Sequence, residues 1–338
     1  MMMEQGQAYA SIILRLLLND VIEPVEERTI LWGDLLHIAT QNGVLIRVVD
    51  KLEKMGLEPR HFFSASVREM RVRNQRKLGL IGRIGKGCVE GDVQFIFPKV
   101  FQNYPDMSGD IDLYISPRSL DVDAVILRGL RAVPVKRNLR NRIDGTANYR
   151  LPGCDSLLEI HHGRVGMLGE HKFYIKQIIE KGRCVRLEGR DFLIPSPEDQ
   201  LILQALQRVV QRSYLRLSDV VSTITLLRRD VLDWNYILKT VKDLNTFYGL
   251  GCYLSFVEQI YGETFKSLLP PDLMRSVISK RPGTIEFREG FYRFQRIRVG
   301  SRGYANKFCS AVLSENWAVA SRLSLLPVLA LTTISRKL

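Results

Sequence analysis

The chain has 338 residues, 46% of them hydrophobic and 25% charged, with a formal net charge of +13 and an isoelectric point near 9.6. So apolar a composition excludes a disordered chain and leaves room for two or three compact units, while the cationic surplus calls for an anionic partner: a nucleoside triphosphate, a nucleic acid, an acidic protein or an anionic membrane. Five widely spaced cysteines, Cys88, Cys154, Cys184, Cys252 and Cys309, form neither a zinc pattern nor a disulfide framework, which fits a reducing cytoplasm.

From Ala8 to about Glu90 apolar residues recur at helical spacing, in Ile12, Ile13, Leu16 and Leu17 and again in Leu31, Leu35, Leu36 and Ile38. The start lacks the basic segment and cleavage pattern of a secretory signal, so it is read as the first helix of the fold. Gly43 and Pro59 punctuate this helical region. Ser64 opens a long helix whose Arg68, Arg71, Arg73, Arg76 and Lys77 are expected on a solvated face, because no aromatic residues interleave with them for base stacking.

From about Gly91 to Ile194 the pattern changes to short strands, turns and helices. Val93–Lys99 reads as a buried strand ending in a lysine. Met107-Ser108-Gly109-Asp110-Ile111-Asp112-Leu113-Tyr114-Ile115 reads as a strand entered through a turn of small residues, with Asp110 and Asp112 on one face. Two carboxylates side by side are costly unless a cation lies between them, and a divalent metal is the common solution. A helix from Pro117 through Leu130 and the basic loop Lys136–Arg142 follow. Cys154–His162 reads as another strand, bringing a third carboxylate, Glu159, and beside it His161, which could ligate or simply orient its neighbour. Tyr174–Lys181 suggests a short amphipathic helix, and Cys184–Leu187 with Phe192–Ile194 a pair of edge strands.

Pro195-Ser196-Pro197-Glu198-Asp199 is a helix start, with Ser196 as N-cap and Pro197 in the first helical position. A second helix over Arg216–Leu227 carries Asp219, expected to pair with Arg216 or another neighbour. Helical spacing continues to about Gly262. Phe287–Val299 favours a basic amphipathic helix over a hairpin strand, because Phe291, Phe294 and Ile297 fall at intervals of three, and this basic tail is the candidate partner or acceptor surface. The apolar run Leu323–Ile334, with Pro327 inside it, is too short to span a bilayer, so membrane contact is not expected.

Phe95-Ile96-Phe97-Pro98-Lys99, Ser108-Gly109-Asp110-Ile111-Asp112-Leu113, Leu158-Glu159-Ile160-His161 and Ile194-Pro195-Ser196-Pro197-Glu198-Asp199-Gln200-Leu201 resemble, in order and spacing, the uncharacterised bacterial nucleotidyltransferases of the polymerase-β-like superfamily. The resemblance runs from about Thr29 to Arg229. It implies an α+β fold, a polymerase-β-like nucleotidyltransferase core of short mixed sheet and helices (91–194), flanked by an N-terminal helical region (1–90) and a C-terminal helical region with a basic tail (195–338). It also implies metal-dependent transfer of a nucleoside monophosphate from a triphosphate, with ATP the expected one, to a hydroxyl acceptor that is a small molecule, a protein or an RNA. Asp110, Asp112 and Glu159 would be the catalytic carboxylates and the ligands of Mg2+ or Mn2+. Lys99, Ser108 and Gly109 would contact the nucleotide. Val100 stands where the family pattern has glycine, which keeps open a second reading, a nucleotidyltransferase fold serving as a binding or assembly module. Nucleic-acid binding through the basic helices is a third.

Overall fold

The computed structural model describes residues 2–19, 30–57, 64–99, 101–107, 109–116, 126, 129–137, 139–166, 169–211, 214–264, 283–294 and 296–334. Ser108, Val100 and most of the helix expected after Pro117 lie outside these residues. The N-terminal helices are α1 (Met2–Asn19), α2 (Trp32–Gln41), α3 (Leu45–Lys54) and the long α4 (Ser64–Glu90). A five-stranded mixed sheet follows, built from β1 (Phe95–Ile96), β2 (Ile111–Ile115), β3 (Val133–Pro134), β4 (Thr146–Arg150) and β5 (Leu157–His162) in the order β1-β2-β5-β4-β3. Only β2 and β5 run parallel. Part of the expected basic loop is the short helix α5 (Leu139–Asp144).

Helix α6 (Tyr174–Glu180) precedes the two-stranded pair β6 (Arg183–Leu187) and β7 (Arg190–Ile194). Ser196 Oγ accepts from Asp199 N at the start of α7 (Pro197–Ala205), with proline in the first turn, as the N-cap chemistry predicts. One π-helical turn (Leu206–Gln211) leads to β8 (Tyr214–Leu215) and to helices α8 (Leu217–Arg229), α9 (Trp234–Asp243) and α10 (Phe247–Thr264). Asp219 pairs as expected: its carboxylate accepts from Arg216 N at 2.9 Å and meets the Arg208 guanidinium at 2.5 Å.

The segment read as a helix over Phe287–Val299 is instead a hairpin, β9 (Ile285–Arg288) and β10 (Phe291–Phe294), with helix beginning only at α11 (Arg296–Leu313). The reason lies in the turn. Glu289 and Gly290 both have positive φ, at 50° and 81°, and close a two-residue loop between the paired Arg288 and Phe291, the geometry that matches strand twist. Helix α12 (Trp317–Ile334) contains the apolar run ending at Ile334, and among the described residues no helix is long and apolar enough to cross a membrane.

Two hydrophobic cores result among the described residues. One sheet face, with Ile111, Leu113, Ile115, Leu158 and Ile160, packs against the C-terminal half of α4 through Leu78, Ile81, Ile84 and Cys88. The other core unites α1, α2 and α3 with α7, α8, α10 and the β9–β10 hairpin, and it reaches the opposite sheet face at Ile96 and Tyr114. The first and last helical regions therefore share one interior. The alternation of strand side chains does the sorting: odd positions of β2 enter the α4 core, and even positions face the other way.

Candidate active site

On that other face, the parallel pairing of β2 and β5 sets Asp112 opposite Glu159 and Tyr114 opposite His161, and the antiparallel pairing of β4 adds Asn148 beside Glu159 and Thr146 beside His161. Polar groups thus lie in one row across three strands, at the edge of an apolar interior. Oxygen atoms of Asp112 and Glu159 and a ring nitrogen of His161 all lie within 4.8 Å of one another. The His161 ring is held edge-on to Tyr114, with centroids 4.8 Å apart, and its Nδ1 is 3.5 Å from Thr146 Oγ1. This leaves Nε2 aimed at the carboxylates, 3.6 Å from Asp112 Oδ1 and 3.7 Å from Glu159 Oε1.

Lys99 enters from the turn after β1, and its Nζ donates to Asp112 Oδ1 at 2.9 Å. Burial pushes the Asp112 carboxyl up, but the Lys99 ammonium and the His161 ring outweigh it and hold the carboxyl well below the usual carboxylate range. Glu159 goes the other way. Its burial, with Asp112 and Asp110 nearby, raises its proton affinity despite His161 and Lys99. Neighbouring carboxylates with opposite shifts are the pattern of a site that handles charge and protons.

Asp110, just before β2, is exposed, and its Oδ1 accepts from Leu157 N at 3.3 Å, tying the start of β2 to the start of β5. It lies outside the close trio of Asp112, Glu159 and His161. Gly109 is exposed with open space where a side chain would stand, so its backbone is approachable. Ser108 lies outside the described residues.

The turn that delivers these residues is anchored by the N-terminal helices. The buried carboxylate of Asp106 accepts from Ile46 N at 2.7 Å and Arg47 N at 3.2 Å, in the first turn of α3, and from Arg47 Nε at 3.0 Å. Asn74 Nδ2 of α4 donates to Pro105 O at 2.5 Å, and Lys77 Nζ donates to Gly109 O. The sequence reading put Lys77 on a solvated face, and this is corrected: it is buried, at 4% exposure, while Arg68, Arg71, Arg73 and Arg76 are exposed. Burial lowers its ammonium pKa to about 8, with the charges of Asp110 and Asp112 among those opposing the shift. The missed signal was the spacing of Lys77, Ile81, Ile84 and Cys88, which puts the lysine on the apolar stripe of α4.

The donor set fits a divalent cation. Two carboxylates and an imidazole converge, and both His161 Nε2 and Asn148 Oδ1 are buried without a hydrogen-bond partner, which costs stability unless something else satisfies them. No curated protein and no solved structure matches the chain. A family model described as an uncharacterised nucleotidyltransferase matches residues 28–262, a span that runs from before α2 into the last turn of α10 and hence includes the whole five-stranded sheet and every residue of this site. The chain belongs to that family of uncharacterised nucleotidyltransferases, and its mixed sheet with flanking helices is the nucleotidyltransferase core that membership calls for.

Proposed function

We propose that the chain performs metal-dependent nucleotidyl transfer, moving a nucleoside monophosphate from a triphosphate, ATP being the first to test, to a hydroxyl acceptor with release of pyrophosphate. The observation that carries this reading is the convergence of the Asp112 and Glu159 carboxylates with the buried His161 Nε2, all within 4.8 Å of one another. Asp112, Glu159 and His161 would hold magnesium or manganese, with Asp110 contributing from the start of β2. The bound ion would neutralise triphosphate charge and orient the reacting phosphate. The remaining work falls to the chain. Lys99, on its turn, has the reach to trade the Asp112 carboxylate for a phosphate oxygen, and the open backbone at Gly109 lets the phosphates come close. Glu159, with a carboxylate oxygen beside the reacting centre, would take the acceptor proton as the hydroxyl oxygen bonds to the α-phosphorus and the bond to pyrophosphate breaks.

The test pairs thermal stabilisation with product detection. Magnesium and ATP together should raise the midpoint of the native chain, and Asp112→Asn should lose that rise along with pyrophosphate release, the rate falling by roughly three orders of magnitude. Retained turnover in Asp112→Asn would move the chemistry elsewhere. One observation favours a second reading, a nucleotide-binding module without turnover: Lys99 already neutralises Asp112. That reading predicts magnesium-dependent stabilisation with no pyrophosphate from any acceptor.

A further inference from the structure

Asn148 stands in the same cross-strand row as the two carboxylates. The antiparallel register of β4 and β5 sets it opposite Glu159, which the parallel register of β2 and β5 sets opposite Asp112. Its neighbours on β4 fix the face it takes. Ala147 and Tyr149 enter the core closed by α4, while Thr146 Oγ1 meets His161 Nδ1 on the other side of the sheet. Strand alternation therefore sends Asn148 to the side of Thr146 and the carboxylates. Facing residues of adjacent antiparallel strands keep their Cβ atoms about 4.5–5.5 Å apart, so oxygens on Asn148 and Glu159 can reach a common ion.

The Asn148 side chain finds no donor there. Its Oδ1 is buried and has no hydrogen-bond partner among the described residues. The donors of the site are turned elsewhere: Lys99 Nζ donates to Asp112 Oδ1, and the His161 ring lies against Thr146 and between the two carboxylates. A buried amide oxygen beside a carboxylate sets two acceptors face to face, an arrangement that a cation stabilises. An amide oxygen is also a hard, uncharged ligand of the kind that magnesium and manganese take. Its neutrality suits the position, because a third charge in the row would repel Asp112 and Glu159 alike.

We infer that Asn148 Oδ1 is a ligand of the metal ion, completing with Asp112, Glu159 and His161 a set drawn from three adjacent strands. The inference rests on the metal-binding part of the proposed function and not on nucleotidyl transfer itself. It also bears on affinity. A neutral ligand holds a hard cation less tightly than a carboxylate in the same place, which leaves charge on the ion for a triphosphate to neutralise.

The experiment adds manganese alone, without nucleotide, to the full chain and reads the free ion by electron paramagnetic resonance. Asn148→Ala should weaken binding by about tenfold or more, and Asn148→Asp should tighten it, because ligand number and charge set the affinity for hard cations. Asn148→Cys should turn the site towards cadmium and add a thiolate-to-cadmium ultraviolet band to the background set by the free cysteines of the native chain. A side chain that only fills space would produce neither the gain nor the band. Should truncation to alanine impair folding, Asn148→Asp carries the test, since it keeps the size of the side chain. Equal manganese affinity in the native chain and the alanine and aspartate variants would overturn the inference and leave the ion to Asp112, Glu159 and His161. Lost turnover in Asn148→Ala with manganese affinity unchanged would overturn it in favour of an amide that holds the acceptor hydroxyl. If the native chain fails to bind manganese, or Asp112→Asn binds it equally well, the metal reading falls and the inference with it. The expected changes in manganese affinity, found without pyrophosphate release from any acceptor, would support the inference and remove only the transfer.

Discussion

At the scale of single residues, Lys77 shows how a buried cation can serve a site at a cost to the fold. Its ammonium is taken out of water to hold Gly109 O beside Asp110. The folded pKa is depressed to about 8 from an ordinary 10.5, so between those values the unfolded chain binds the proton and the folded chain does not. Stability must then rise with pH through the window from about 8 to 10.5, by on the order of 3 kcal/mol for this group alone. Lys77→Met should abolish that part of the pH dependence, measured by urea unfolding at a series of pH values. It should also slow turnover by about tenfold, because the turn loses its anchor and the site a positive charge. An unchanged pH slope in the variant would mean that the ammonium stays charged in the fold.

The residues of the site differ in how far the sequence announces them. Asp112 and Glu159 are legible because both sit in short alternating strands, where period two fixes the face each carboxylate shares. Their pairing across β2 and β5 is not legible, since it depends on which strands become neighbours. His161 was visible as a neighbour of Glu159, yet the direction of its Nε2 is set by Tyr114 and Thr146 on two other strands. Lys77 was hidden by its charge, although its position on the apolar stripe of α4 contained the answer.

At the scale of elements, the contact between α3 and the turn before β2 carries the positional information of the site. Asp106 caps α3 from outside that helix, satisfying the Ile46 and Arg47 amides and pairing with the Arg47 guanidinium. Asp106→Ala leaves those donors and a partly buried cation without their acceptor, and should lower stability by about 2–4 kcal/mol in denaturant unfolding. It should also reduce turnover in the surviving folded fraction. A stability loss with turnover per folded molecule intact would show that the cap supports α3 and not the carboxylates. The β9–β10 hairpin marks the opposite case, in which local pattern misled. Phe291, Phe294 and Ile297 have helical intervals, but Gly290 following Glu289 permits a turn with two positive φ values, and burial of Ile285, Phe287, Tyr292 and Phe294 against the helical core settles the outcome.

At the scale of the whole molecule, the C-terminal helix α11 is tied to the segment after β5 by a buried charged cluster. Lys307 of α11 pairs with Glu170, in the segment after β5, and His171 Nε2 lies 3.7 Å from the same carboxylate. Burial, reinforced by the Lys307 charge and opposed by Glu170, drives the His171 pKa down to about 3 from an ordinary 6.5. The folded chain therefore keeps this imidazole neutral where the unfolded chain protonates it. The corresponding stability is complete above about pH 6.5 and is lost progressively as pH falls towards 3. His171→Phe should flatten that part of the acid limb, read as the pH dependence of the unfolding midpoint between pH 4 and pH 7; an identical acid limb in the variant would place the acid sensitivity in other groups.

The core that α1, α2 and α3 share with α7, α8, α10 and the β9–β10 hairpin sets an order of events during synthesis. Ile13, Leu14 and Leu16 of α1 lie in a core that α1 shares first with α2 and α3 and then with α8, α10 and β9, and these last three leave the ribosome only after the entire sheet region has been made. At ordinary elongation rates of about 5–20 residues per second, the C-terminal part of that cover arrives on the order of ten to forty seconds after α1. The five-stranded sheet, whose own core closes with α4, has no such delay. A nascent chain halted after β7 should therefore protect the sheet from protease while α1 is still digested.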